Sequence, residues 1–310
     1  SLGVIASDIS LVSAMRSFTS AFGDRQAGTT LEEIRSLYID NNPNLPHQRS
    51  ALDHAGDSTY YSNLHKTWHG WFGSIVAGLE LADLMLIDPD GNIVYTHAKL
   101  DDFGRNIGDD ALGGTELSKV ARGLLDGDVS GKSNTAFTTY EPATGRATAF
   151  FMATISDSSN EIKGLLVYAV PDAPIMHTMS MENGLKIPSQ TMLIGTDGRA
   201  LIVAGILPGE GGRMLRLDSS APNIQAALRG ETGIATFRTE EGVKVMSSYG
   251  VVRIGGVQYG LSTTVNYDML MADAISLRNT IAMIALGVLI LTGAVATMVG
   301  RAIVRPIVWV

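Results

Sequence analysis

Between Leu11 and Asn41 apolar residues recur three and four positions apart: Leu11, Met15, Phe18 and Phe22, then Leu31, Ile34, Leu37 and Tyr38. That is the period of a helix with one buried face. Gly23 and Gly28 fall in the middle, so the pattern predicts one kinked helix or two shorter ones. Asn41-Asn42-Pro43-Asn44-Leu45-Pro46 ends it, because each proline biases the residue before it away from helix. A second helix is predicted from about Ser58 to Gly78, with Tyr61, His65, Trp68, His69 and Phe72 on one face.

From Leu81 the period shortens to that of strands. LADLMLID, a turn at Pro89-Asp90-Gly91-Asn92 and IVYTHA predict a β-hairpin. A polar loop, LDDFGRNIGDDALGG, leads to a short helix at Glu116 to Leu125. Strands are expected at Ala136 to Tyr140, Ala147 to Ile155 and Gly164 to Val170, making five antiparallel strands with helices packed on them. The order then recurs on a smaller scale. MLIGTDGRALIVA mirrors LMLIDPDGNIVYTHA, and a loop carrying Leu215 to Leu217 precedes a helix around Asn223 to Leu228. Strands follow at Gly233 to Arg238, Lys244 to Val252 and Gln258 to Thr264. We read an internal duplication of one α/β module.

The amphipathic stretch Tyr267 to Leu277 runs without a breaker into Ile281 to Val299, IAMIALGVLILTGAVATMV, which holds no charge. At about 1.5 Å per residue this run matches a hydrocarbon core of ~30 Å. A core helix of a soluble protein would show a polar face or stop sooner. Arg301 and Arg305 follow the run closely, while Arg278 leads the few positive charges before it. The excess of positive charge points the C-terminus to the cytoplasm and residues before about 278 to the extracytoplasmic side.

Composition narrows the function classes. The 310 residues suffice for two domains and a membrane segment. A net charge of −8 with no basic stripe argues against nucleic acid as a partner. The absence of cysteine rules out disulfides, thiolate metal sites and cysteine nucleophiles. SLGVIASDISLVSAM has neither a basic start nor a long apolar run, so an external domain implies a first transmembrane helix upstream of Ser1.

No nucleophile elbow, P-loop or dinucleotide fingerprint is present, and the glycines of Gly205 to Gly212 lack the required spacing. No cofactor, metal or catalytic residue is expected. Asp88-Pro89-Asp90-Gly91-Asn92 is too short for a calcium loop, and turn chemistry accounts for it. Of the histidines only His65 and His69 share a helical spacing. Tyr61, His65, Trp68 and His69 are spaced to line one wall of a pocket, where aromatics beside an acid suit a cationic or zwitterionic ligand. The plainer alternative packs Trp68 and Phe72 on the sheet with the histidines at the rim. Asp101 and Asp102 either clamp an ammonium or are solvated in their polar loop.

With these elements placed, the chain resembles the double Cache sensor domains of bacterial methyl-accepting chemotaxis receptors. The resemblance rests on LEEIRSLYIDNNPN, TYYSNLHKTWHGWF, LMLIDPDGNIVYTHAKLDDFGRNI, GLLVYAVPDAPIMHTM with GLKIPSQTMLIGTDGRAL, and VGRAIVRPI, which is similar to the opening of a HAMP linker. It implies an α+β fold in which a long N-terminal helix carries two PAS-like modules with antiparallel sheets, followed by a transmembrane helix. The implied layout is a helical dimerisation region over 1–57, a distal ligand-binding module over 58–180, a proximal module over 181–276, a membrane helix over 279–300 and the start of HAMP over 301–310. The function implied is extracytoplasmic sensing of a small molecule by a homodimer in the bacterial inner membrane, read out by a cytoplasmic signalling region outside this chain. A histidine kinase or cyclase with the same front end, and an anchored binding domain without signalling, are the alternatives.

Amino-acid receptors of that group carry Arg-x-Trp-Tyr on the helix and hold the ligand amine with a later aspartate. Here those positions read Lys66-Thr67-Trp68-His69 and Ala169. Trp68 with Tyr60 or Tyr61 and an acidic loop residue fits a quaternary amine or betaine, which we favour slightly. Lys66, His69 and Arg146 fit a carboxylate or amino acid instead. Tyr140, on the strand after the short helix, completes the set of candidate ligand-binding residues.

Overall fold

The structure, a computed structural model, describes residues 9–23, 30–128, 131–143, 145–180, 187–195, 200–205 and 221–307. The N-terminal pattern resolves into two helices, α1 (Ile9–Gly23) and α2 (Leu31–Arg35), the latter continued by a wider turn over Ser36–Asp40. Thr30 starts α2 with a capping box: its hydroxyl accepts from the Glu33 amide, and Glu33 accepts from the Thr30 amide. Asn42 then fastens the proline-rich exit by donating to the carbonyls of Tyr38 and Arg49. A short 3₁₀ turn, Pro46–Ala51, not expected from the sequence, leads to α3 (Tyr60–Gly78). That helix begins two residues later than expected because Thr59 caps it, accepting from the Ser62 amide.

The first sheet holds β1 (Asp83–Ile87), β2 (Ile93–Thr96), β3 (Lys132–Asn134), β4 (Thr138–Tyr140), β5 (Arg146–Ser156) and β6 (Ile162–Pro171). Its order is β2-β1-β6-β5-β3, with β4 also paired to β5, and every pairing is antiparallel. The expected count of five strands is thus corrected to six. The missed strand, Lys-Ser-Asn, is a short, partly exposed edge with no apolar residue, so it leaves no alternation to read. The expected strand from Ala136 is shortened to Thr138–Tyr140. At the β1–β2 turn Asp88 accepts from the Asn92 amide and side chain, and Gly91 has φ 86°. A side chain at Gly91 would need a left-handed backbone and would press on Ile107.

Both faces of this sheet are covered, and side chains alternate between them. Leu84, Leu86, Leu166, Ala153 and Ile155 meet α1 and α3, through Leu11, Met15, Phe18, Tyr61 and Phe72. Met85, Ile87, Leu165, Val167 and Met152 meet α4 (Glu116–Leu125), through Leu117, Ala121 and Leu124. This is why LMLI and LLVYA read as continuous apolar runs.

After α5 (Ala173–Ser180), which the sequence reading did not foresee, the second sheet holds β7 (Ser189–Ile194), β8 (Ala200–Gly205), β9 (Gly233–Arg238), β10 (Lys244–Ile254) and β11 (Val257–Asn266). Its order is β8-β7-β11-β10-β9, again antiparallel, the order of the first sheet in miniature. The Asp197-Gly198 turn and the loop with Leu215 to Leu217 lie outside the described residues. Helix α6 (Pro222–Leu228) is fixed by Asn223, whose buried amide donates to the hydroxyls of Ser247 and Ser262.

The two sheets share apolar contacts among Phe137, Ala147, Ala149, Leu193, Ile202 and Tyr259. The buried Tyr259 hydroxyl accepts from the Phe137 amide at 2.7 Å. β11 then passes without a loop into α7 (Tyr267–Ile307), a single helix of 41 residues. Asn266 caps it, accepting from the amides of Asp268 and Met269, and Lys244 lies over the Tyr267 ring at 3.6 Å. From Ile281 to Met298 its large apolar side chains are more than half exposed, so this is not a core helix. The fold class is α+β, two antiparallel sheets followed by a long apolar helix.

Tyr259→Phe keeps the ring and removes the acceptor for a buried amide. Thermal or urea unfolding of the variant is expected to show a loss of about 1–3 kcal/mol, the cost of an unsatisfied buried donor.

Candidate functional site

Part of the candidate set falls into two groups on opposite faces of the first sheet. On the α3 side, Tyr61, His65 and His69 are all buried, while Trp68 is partly buried and packs edge-on against Trp71. The histidines are therefore in the core and not at its rim. His65 stacks on His69 and His69 on His97, each pair with ring centres 4.6 Å apart. His69 Nε2 lies 2.6 Å from the Ser50 carbonyl, which can only accept, so that nitrogen carries the proton. Its Nδ1 is then free to accept from the Tyr95 hydroxyl at 2.8 Å. By the same reasoning His65 donates from Nδ1 to the Asp53 carbonyl at 2.7 Å.

Lys99 closes this group. It is fully buried with a left-handed backbone (φ 54°), and its Nζ lies 3.3 Å from the His97 carbonyl and 3.4 Å from His69 Nε2. Burial drives the Lys99 ammonium down to about 7, opposed by Asp83 and Asp53. Burial, reinforced by Lys99, holds His69 down at about 4. Burial and the neighbouring His69 and Lys99 hold His97 at about 3. His65 is likewise pushed well below the usual imidazole range, by burial first. All three histidines are neutral at physiological pH.

The second group lies toward the α4 side. Asp102 is fully buried, and its Oδ2 accepts from the Tyr140 hydroxyl at 3.0 Å. Asp83, also buried, uses Oδ1 to accept from the amides of Leu84 and Ala98. Asp102 Oδ1 and Asp83 Oδ2 have no hydrogen-bond partner among the described residues. Desolvation raises the pKa of both carboxyls, and Asp102 raises Asp83 further. Arg35 holds the intervening loop by donating to the carbonyls of Asp101 and Phe103.

Beside this group is a cleft of about 580 Å³ between the start of α4 and β4–β5, bordered by Asp110, Glu116, Thr138, Tyr140, Glu141 and Phe150. A second cleft, about 640 Å³, lies between α1 and the far end of β5, beside Arg16, Lys132 and Asp157. It is larger but remote from both polar groups. Arg16 and Lys163 both pair with Asp157, so the carboxylate of that cleft is already met within the chain.

Several candidates stand apart from either group. Tyr60 is 54% exposed and Lys66 is on the outer face of α3. Asp101 is exposed and lies 3.7 Å from Arg49, which separates it from its neighbour Asp102. Arg146 pairs with Asp172 at 2.7 Å. The structure brings together Tyr61, His65 and His69 in one place and Asp102 with Tyr140 in another. Sequence reasoning missed Asp83, Lys99 and His97. A charged residue opening or closing an otherwise apolar strand was the one available signal. Ala169, where the family resemblance expects an aspartate, is the direct cross-strand partner of Asp83.

No protein-family model matches the chain, and no curated protein matches it. Solved structures do. An extracellular ligand-binding receptor from Desulfohalobium retbaense is 13% identical over 78% of this chain, with a TM-score of 0.41, and the match spans only 39% of that receptor. The ligand-binding domain of the Pseudomonas fluorescens chemoreceptor CtaA, solved with L-isoleucine, is 14% identical over 78% of this chain and 84% of its own, with a TM-score of 0.42. The sensor domain of the V. cholerae histidine kinase DctB is 13% identical over 82% and 95%, with a TM-score of 0.43. They are, respectively, a ligand-binding receptor, a ligand-binding domain and a sensor domain. These overlaps identify no ligand and no residue role for this chain.

A neutral buried histidine contributes stability above its unfolded pKa, near 6.5, and loses it as pH falls toward the folded value. His69→Gln is therefore expected to flatten the loss of stability between pH 6.5 and 4, by about one proton taken up on unfolding. Urea unfolding across that range measures it; an unchanged slope would mean that His69 is protonated in the fold.

Proposed function

We propose that this chain is the extracytoplasmic ligand-sensing region of a bacterial transmembrane receptor, of the chemoreceptor type, with the first sheet as its ligand-binding module. The observation that carries this reading is the passage of β11 directly into α7. The last strand of the second sheet, its Asn266 cap and the apolar run are one continuous element. A shift in that sheet is therefore passed to the membrane helix without a joint to absorb it. A simple anchor has no need of such a connection.

Two further features support the reading. The sheets share the Tyr259 bond and an apolar contact, so a change in the first sheet reaches the second. A cleft with buried polar groups beside it lies in the first sheet, away from the membrane helix. The role is binding and transmission, not catalysis. The distal and proximal assignments, over 58–180 and 181–276, and the HAMP assignment after the span belong to this same proposal.

Topology is directly testable because the chain has no cysteine of its own. Ser158→Cys is expected to react with a membrane-impermeant maleimide in intact spheroplasts, and Ala302→Cys only after lysis. For ligand sensing, the full chain in nanodiscs is screened by thermal unfolding against small amines, amino acids and carboxylates. A true ligand at a hundred times its Kd should stabilise by about 2.7 kcal/mol. Labelling of both cysteines from outside would refute the membrane reading.

A further inference from the structure

We infer that the cleft between α1 and the far end of β5 is a second ligand site, for a small organic carboxylate with an apolar body. Arg16 and Lys132 meet its charge, and Ile9 and Val12 cover its body. This goes beyond the sensing reading above, because the two clefts have no bordering residue in common and neither site depends on the other.

Three elements build the cleft. On α1, Ile9, Val12 and Arg16 stand at i, i+3 and i+7, so one face of the helix turns two aliphatic side chains and a guanidinium toward it. On the edge strand β3, Lys132 is the direct cross-strand partner of Ala153, and residues paired in this way share a face of the sheet. Ala153 belongs to the core beneath α1, so Lys132 is directed to the same side as Arg16. The connection between β5 and β6 supplies the third wall, with Asp157 and Ser158.

Among the described residues the border carries two cations, Arg16 and Lys132, against one carboxylate, Asp157. That carboxylate is heavily engaged. It accepts from the Ser159 amide and hydroxyl and from the Glu161 amide, and it pairs with Arg16 at 2.8 Å and Lys163 at 3.4 Å. Its oxygens keep donors even without Arg16. Lys132 has no acidic partner among the described residues, and Arg16 spends only Nη2 on Asp157, which leaves N–H donors on its other nitrogens. An entering carboxylate therefore finds an unengaged ammonium and a guanidinium with donors to spare, the groups that make charge-assisted hydrogen bonds. The Asp157 bond also holds Arg16 at the cleft, which lessens the side-chain freedom lost on binding. The apolar half of the ligand follows from Ile9, an aliphatic side chain 86% exposed, with Val12 and Ala153 continuing the apolar surface toward the core. A ligand body laid over that surface removes it from water. The volume, about 640 Å³, falls within the range of roughly 300–1,000 Å³ common to small-molecule pockets. A cation is disfavoured, because it meets two like charges and no unengaged acid.

The test is calorimetry at neutral pH on the full chain in nanodiscs, with empty nanodiscs subtracted. Benzoate and hexanoate are the probes. Acetate serves as the charge without the body, and benzyl alcohol as the body without the charge. At least one probe should bind about tenfold more tightly than either control. Lys132→Gln and Arg16→Gln should each weaken that binding about tenfold, the scale of a lost charge-assisted hydrogen bond. The bound probe should also slow maleimide labelling of Ser158→Cys at this cleft and leave that of Thr139→Cys, at the other cleft, unchanged. Should Arg16→Gln fail to fold for want of its Asp157 bond, Lys132→Gln and the labelling decide. Undiminished affinity in a folded variant overturns the proposal, as does a control binding as tightly as the probes or equal protection of both cysteines. If neither probe binds, this inference falls and the sensing reading, which concerns the other cleft, stands.

Discussion

Coverage of the first sheet on both faces is the constraint on which the rest of the molecule depends. A sheet open to water on one side tolerates polar side chains there; β1 and β6 have no such side. Every polar group they carry must find a partner within the protein or remain unmet. Most of the sheet obeys by being apolar. Asp83 at the start of β1 does not, and the loop that follows β2 brings Lys99 and Asp102 into the same interior. These departures are charged groups in an interior otherwise built mostly of apolar side chains.

Each polar group keeps a buried atom without a hydrogen-bond partner among the described residues: His97 Nδ1 in the histidine group, Asp83 Oδ2 and Asp102 Oδ1 in the other. On the α3 face, His69 has partners for both ring nitrogens, and His65 is bonded and stacked. That set locks α3 to the Pro46–Ala51 turn and to β2, and it is best understood as structure. On the opposite face, two acid oxygens remain without donors beside a cleft. Of these residues Tyr140 is the one that borders the cleft, and its bond to Asp102 is what links the cleft to the acids.

Much of the fold was legible because it is written in local periods. The β1–β2 hairpin, α4, the strand β9 and the duplicated order all follow from spacing within ten or fifteen residues. The exceptions have physical causes. β3 carries no apolar residue, and the start of α2 is set by the Thr30 capping box, which apolar spacing does not read. The candidate site was legible only in part. Asp102 and Tyr140 stood among the candidates, but their partnership spans 38 residues and depends on a loop folding back over the sheet. Asp83 lay within a hairpin read for its apolar positions. Its position next to Ala169 is a product of β1 pairing with β6, which no local pattern encodes.

The two polar groups also pull stability in opposite directions with pH. The histidines have folded pKa values below their unfolded ones, so their contribution is present above about pH 6.5 and lost as pH falls. Asp83 and Asp102 have folded values above theirs, so their contribution is present at low pH and lost as pH rises through the raised range. In mildly acidic conditions the two trends oppose each other, three histidines against two carboxyls. Lys99 joins the two groups, because Asp83 opposes the fall of its pKa while Lys99 helps to hold His69 and His97 down.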